Sequence, residues 1–228
     1  MEKLIITKNI DKNFVEVINI LNQKKIQYWI CHGTLLGIIR EGKLIEWDHD
    51  VDIAVWNDDI SKDSIINLMK EKSFNLRDGF GVKDDLVSFD KQGGRTIDFS
   101  FMRKKKKDNN EVAYVTYFIP RNFLMKIVDA LSSADKYSGK YKGIINSLSP
   151  LKFFFNKLKK IMIKINLFYK GYSLYVPTRL LKETTTVEIE NLKIKIPLLF
   201  KEYLEFVYGQ DWIKPKKDYI WPRDYKTF

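Results

Sequence analysis

Trp47-Asp48-His49-Asp50-Val51-Asp52-Ile53-Ala54-Val55 is the stretch from which the fold of this chain is read. Val51–Trp56 is nearly all apolar, which predicts a buried strand with acids at its entrance. Alternate residues of a strand share a face, so Asp50 and Asp52 aim their carboxylates at one point. Two carboxylates crowded in an apolar strand repel each other and lose solvation. A divalent cation relieves both penalties, and Mg²⁺ prefers carboxylate and phosphate oxygens, with Mn²⁺ as its substitute. Some 46 residues later, Thr96-Ile97-Asp98-Phe99-Ser100-Phe101 sets a single acid in a second apolar strand. Laid beside the first strand, Asp98 would join Asp50 and Asp52 in a site for one or two cations. Such a site clamps the attacking and leaving oxygens of a phosphoryl transfer. A D-x-D pair alone is no more than two acids on a solvent-facing strand, so its neighbourhood decides.

Upstream, His32-Gly33-Thr34-Leu35-Leu36-Gly37 follows a short apolar strand, Gln27–Cys31, and leads into a helical turn over Thr34–Arg40. At such a junction backbone N–H groups can receive a phosphate. Gly33 permits close backbone approach, and Thr34 adds a hydroxyl. His32 either touches a donor molecule or is a satisfied structural histidine. Farther out, Asp11 opens a helix over 11–25 in which Phe14, Val17, Ile18 and Leu21 recur at helical spacing. Ser61 caps a helix over 61–72. Residues 73–119 read as strands broken at Gly79-Phe80-Gly81 and Gln92-Gly93-Gly94, with Arg95–Arg103 and Glu111–Ile119 forming a hairpin across the polar tip Lys104–Asn110. A strand pair, Thr185–Glu190 and Lys193–Ile196, precedes a helix from Pro197 to Val207. The fold class is α/β or α+β, a mixed sheet flanked by helices with a C-terminal helical and hairpin appendage.

The 228 residues are 45% hydrophobic and 14% aromatic, enough for a sizeable core and too apolar for a disordered chain. Forty Lys and Arg against 29 Asp and Glu give a net charge of +11, which favours phosphate-bearing, nucleic-acid or acidic membrane partners. The single cysteine, Cys31, excludes an intramolecular disulfide and a cysteine zinc cluster. No secretory leader pattern follows Met1, and no apolar run reaches about 18 residues. The expected location is the cytoplasm, at most peripheral to the inner face of a membrane.

A glycine turn, a D-x-D on the next strand and a third acid on a later one make the pattern of the nucleotidyltransferase fold. Gly33-Thr34-Leu35-Leu36-Gly37-Ile38-Ile39-Arg40 and Ile45-Glu46-Trp47-Asp48-His49-Asp50-Val51-Asp52-Ile53 closely resemble the signature of the LicD/fukutin family, G-T-L-L-G-x-x-R leading into W-D-x-D-x-D-I. Ile196-Pro197, Tyr203, Leu204, Tyr208-Gly209-Gln210-Asp211-Trp212 and Pro215 resemble the family's closing block. The resemblance implies Mg²⁺-dependent transfer of a phospho-alcohol, phosphocholine or an alditol phosphate, from CDP-choline, CDP-ribitol or CDP-glycerol to a hydroxyl of a glycan or lipid-linked glycan, with release of CMP. It casts Asp50 and Asp52 as metal ligands and Asp98 as a third ligand or the base for the acceptor. Asp48 would support them, and Arg40 would clamp phosphate oxygens. His49 departs from the acidic run of choline-type members, but that position faces away from Asp50 and Asp52. Residues 1–120 then form the catalytic core and 121–228 an acceptor-side region packed on it. Two other functions fit: a nucleotidyltransferase attacking the α-phosphate of an NTP, and a non-catalytic basic RNA- or membrane-binding module.

Two basic segments remain. Arg103-Lys104-Lys105-Lys106-Lys107 reads as a solvated hairpin tip rather than a nucleic-acid contact. Residues 150–168 mix lysines with Phe153, Phe154, Phe155, Leu158, Ile161, Met162 and Ile165. Such a helix suits either a membrane boundary or a core with a basic outer side.

Overall fold

The computed structural model describes residues 10–77, 82–133 and 142–215. Helix α1 (Lys12–Gln23) begins where expected, because the Asp11 carboxylate accepts the Phe14 N–H. The second Asp11 oxygen accepts the Arg95 N–H at 2.9 Å, so the cap also ties the helix to the sheet. Phe14, Val17, Ile18 and Leu21 are fully buried against it. Strand β1 (Trp29–Ile30) leads directly into α2 (His32–Glu41), which starts two residues before the anticipated turn and stops at Gly42 in the left-handed region. Strand β2 (Asp50–Trp56) carries the D-x-D, and α3 (Lys62–Glu71) follows, with the Ser61 hydroxyl accepting the Ser64 N–H.

Strands β3 (Asn75–Leu76), β4 (Val82–Lys83), β5 (Leu86–Asp90) and β6 (Thr96–Lys107) build the sheet in the order β1-β2-β6-β5-β3, with β4 also on β5. Only the β2–β6 pairing among these is parallel, which makes the sheet mixed. The expected turn at Gly79-Phe80-Gly81 lies outside the described residues. The lysine run corrects the expected hairpin. β6 continues through Lys107 and pairs with β7 (Asn110–Tyr114), and the turn is confined to Asp108 and Asn109, both at positive φ. Strand alternation explains how lysines fit there. Lys104 lies 4.3 Å from the Trp56 ring centre, and Lys105 lies 4.1 Å from that of Tyr175, so ring faces take the charges.

After Val115 the chain leaves the sheet as β8 (Thr116–Pro120). Helices α4 (Phe123–Ser133), α5 (Lys142–Ser147) and α6 (Lys152–Lys164) follow, and β9 (Phe168–Tyr172) pairs back antiparallel on β8. This excursion has a small core of its own, Met125, Val128, Met162 and Phe168. Strand β10 (Val176–Pro177) then rejoins the sheet on β7. The hairpin of β11 (Thr184–Ile189) and β12 (Leu192–Pro197) packs against α1 and β1, burying Ile194 and Ile196 completely. Helix α7 (Phe200–Tyr208) closes on α2 with Tyr203 and Leu204 fully buried, so the last third of the chain completes the main core.

Candidate active site

The parallel register of β2 on β6 sets Asp52 beside Asp98 and Asp50 beside Thr96. Val51, Ile53, Ile97 and Phe99 are fully buried between these acids, which therefore share the opposite face. Asp48, Asp50, Asp52 and Asp98 line one cavity of about 530 Å³ together with His32, Gly33 and Arg40. The first half of the chain thus converges on one place, although 46 residues separate Asp52 from Asp98.

Glycine 33 is where it is for space. A Cβ there would fall inside van der Waals contact of Asp48 Oδ2 and 3.8 Å from Asp52 Oδ2. The Gly33 backbone N–H hydrogen-bonds the Asp52 carboxylate, so the amide that opens α2 meets an acid of β2. Gly33→Ala therefore lowers turnover about 100-fold, the order of losing one placed polar group, while the fold survives. Circular dichroism with a turnover assay checks this, and undiminished turnover would show that the Asp48 position is unimportant. Thr34 is 1% exposed, and its hydroxyl oxygen accepts the Asp52 N–H at 2.8 Å. It braces helix to strand from behind the cavity wall.

His32 takes φ 47°, a conformation uncommon outside glycine, and its Nδ1 lies 3.4 Å from the Tyr203 hydroxyl. Burial lowers its pKa to about 4 against the pull of the Asp50 charge, so the ring is neutral at pH 7. Arg40 gives one edge of its fork to Glu41, with Nε 3.1 Å and Nη2 2.5 Å from Oε1. Its side chain is only 7% exposed at the cavity wall.

The acids hold more negative charge than so dry a place tolerates. Burial, with the charges of Asp50, Asp98 and Asp48, drives the Asp52 carboxyl well above the ordinary carboxylate range. Burial raises Asp98 to about 6, against a hydrogen bond with Ser88. Asp48 rises to about 7 through burial, then a hydrogen bond with Asp50 and its charge. Asp98 Oδ1 is buried without a hydrogen-bond partner among the described residues. An orphaned carboxylate oxygen beside mutually repelling acids fits a cation with hard-oxygen preference. Among the described residues no group of three or more His, Cys, Asp and Glu side chains is arranged to hold a metal ion by itself. What these acids fit is a site of one or two carboxylates acting with phosphate oxygens and water, the kind Mg²⁺ favours.

Sequence reasoning missed several walls of the cavity. Ser88, 1% exposed on β5, reaches Asp98, but a lone serine in an apolar strand carries no spacing signal. Tyr117, Ser173 and Leu174 come from the excursion beyond β7, and Val207 and Tyr208 from α7. Trp47 and Trp212 also line it, and both fall within the segments that carry the family resemblance.

Residues 25–153 match the model of the LicD/FKTN/FKRP nucleotidyltransferase domain. Ribitol 5-phosphate transferase FKRP of Mus musculus is 26% identical over 110 residues, 48% of this chain and 20% of that protein. Its Homo sapiens counterpart is 39% identical over 44 residues, 19% of this chain and 9% of that one. A Rickettsia typhi protein is 30% identical over 105 residues, 46% of this chain and 31% of its own length. These matches span less than a third of each relative. Among solved structures, lincomycin-bound lincosamide antibiotic adenylyltransferase LnuA superposes with a TM-score of 0.36 at 12% identity, over 64% of this chain and 98% of that one. The family match covers more than half of the chain and contains the in-register acids of β2 and β6; this protein belongs to the LicD/FKTN/FKRP family, within its nucleotidyltransferase domain.

Proposed function

We propose that the chain transfers a phospho-alcohol from a CDP-linked donor to a glycan hydroxyl, with Mg²⁺ and release of CMP. The observation that carries this reading is Asp98, with its unpartnered oxygen, standing in register beside Asp52 in a cavity large enough for a nucleotide. FKRP is named for ribitol 5-phosphate, so an alditol phosphate is the first group to test.

Asp50 and Asp52, with the unpartnered oxygen of Asp98 beside them, would hold the cation, and when bound it would neutralise phosphate charge and polarise the phosphoryl oxygens. Arg40 faces the donor phosphates with its remaining guanidinium donors. Asp98, oriented by Ser88, takes the proton of the acceptor hydroxyl. The acceptor oxygen bonds to the distal phosphorus as its bond to the bridging oxygen breaks, and CMP leaves with the electron pair.

Incubation with Mg²⁺ and CDP-ribitol, CDP-glycerol, CDP-choline or NTPs is expected to yield CMP from a CDP-linked donor, and EDTA stops it. Pyrophosphate from an NTP, without CMP from any CDP-alcohol, would overturn the proposal.

A further inference from the structure

The core-facing side of α6 is already satisfied. Phe155, Leu158 and Ile163 pack with buried Met162 against Met125, Val128 and Phe168, and Lys159 closes on Asp129 at 2.6 Å. A second apolar set points the other way. Phe153 is 83% exposed, Phe154 58%, Ile161 50% and Ile165 60%, interleaved with exposed Lys157, Lys160 and Lys164. This is the solvent side of a helix that has a core side as well, so packing among the described residues does not account for it.

Charge is concentrated in the same region. Residues 136–182 contain eleven Lys and Arg and no Asp or Glu. The rest of the chain, with 29 basic and 29 acidic residues, is neutral, so the whole net charge of +11 sits in this segment. No described helix is long and apolar enough to cross a membrane.

We propose that the outer face of α6 seats on an anionic membrane surface. Phenyl and branched aliphatic groups enter the acyl boundary, and the lysine stems lie along it with their ammonium groups among the headgroups. The chemistry favours lipid over other polyanions. Nucleic acid is held by stacking and base-edge hydrogen bonds, which isoleucines do not supply. Protein interfaces are depleted in lysine at their centres, whereas here the lysines alternate with the exposed apolar groups. The β8–β9 ribbon connects the two sites. Tyr117 near its start lines the cavity, while its far end, the Pro120–Phe168 pair, leads to the helices of the patch. The surface so described stands independently of the transferase proposal.

Flotation with phosphatidylcholine–phosphatidylglycerol vesicles tests it. The full chain should rise with anionic vesicles at low salt, stay behind with pure phosphatidylcholine, and be released as salt screens the lysines. K157E/K160E/K164E and F153S/F154S should each lower the bound fraction at least about tenfold, with unchanged melting and unchanged CMP release on a soluble acceptor. Asp52→Asn should float like wild type, so a failed transferase proposal leaves this result readable. Any of four results would overturn the inference: no flotation, equal flotation on neutral vesicles, indifference to both variants, or a dimer in solution that F153S/F154S dissociates. RNA binding through the same lysines without vesicle binding would overturn it too.

Discussion

Asp52→Asn lowers turnover at least about 1,000-fold, some 4 kcal/mol of transition-state stabilisation, and leaves the apo-protein no less stable than wild type. The two halves of that expectation share one cause. Asp52 is hydrogen-bonded by Gly33 and surrounded by Asp48, Asp50 and Asp98, so its charge is useful only when a cation answers it. Asparagine keeps the shape, removes the charge and relieves the repulsion, which raises melting by about 2–4 °C per kcal/mol gained. Asp50→Asn behaves alike. The pH dependence follows from the same groups. Asp98 and Asp48 move from 3.8 when unfolded to about 6 and about 7 when folded. Between those values the folded state holds protons that the unfolded chain has released, so apo stability falls as pH rises from about 4 to 7. Mg²⁺ should restore it at pH 7, and Asp50→Asn, which removes a charge acting on both groups, should flatten the slope. Melting scans from pH 4 to 8 with and without Mg²⁺ measure this. A steep loss of melting temperature in Asp52→Asn would make the residue structural.

Asp85→Ala destabilises the protein by about 3 kcal/mol, which lowers melting by roughly 6–12 °C for a chain of this size. Asp85 is wholly buried. Its carboxylate accepts Arg103 Nε and Nη2, both at 2.7 Å, and the Thr116 hydroxyl at 2.6 Å and backbone N–H at 3.0 Å. Its own backbone donates to Thr116 O and accepts the Phe101 N–H, so one residue ties β6 to the start of β8. Alanine would leave those donors unanswered in a dry place. The figure sits at the low end for buried pairs because the Arg103 side chain is 38% exposed. Burial by itself would raise the Asp85 pKa, but hydrogen bonds from Arg103 and Thr116 outweigh it and hold the group below 3.8. Its contribution is therefore present above pH 4 and lost as pH falls below that. This slope opposes the one from the active-site acids, so the apo-protein is most stable in mildly acidic solution. Asp84→Asn, at a partly exposed neighbour 3.6 Å from Lys62 that shares the Thr116 hydroxyl with Asp85, keeps an oxygen to accept that hydroxyl and should cost under about 1 kcal/mol. Equal losses at both positions would refute the argument from burial.

The parts of this fold that nearest neighbours encode were legible in the residues alone. Asp11 and Ser61 mark helix starts because each side chain satisfies an N–H three residues on. The β11–β12 hairpin was legible from its alternation, and the D-x-D on β2 needed only the two-residue period of a strand. Recognition of the family rested on such local words.

Other features depend on which strand lies beside which. The lysine run looked like a tip because charge suggests solvent. It is strand through its pairing with β7, and Trp56, Tyr114 and the Tyr172–Tyr175 stretch, three places in the chain, supply ring faces for Lys104 and Lys105. Asp85 gave no sign in the sequence, since a buried ion pair is defined by a partner 18 residues away and a cap on another strand. The sequence left the basic helix open between core and membrane; the fold buries one face and leaves the other exposed, because only packing on α4 decides which side of α6 keeps water. The decisive case is Asp98. Its apolar neighbours required a strand, but a strand's companion is chosen by sheet register. The parallel pairing of β6 on β2 buries Val51, Ile53, Ile97 and Phe99 on one face and thereby sets Asp98 beside Asp52 on the other.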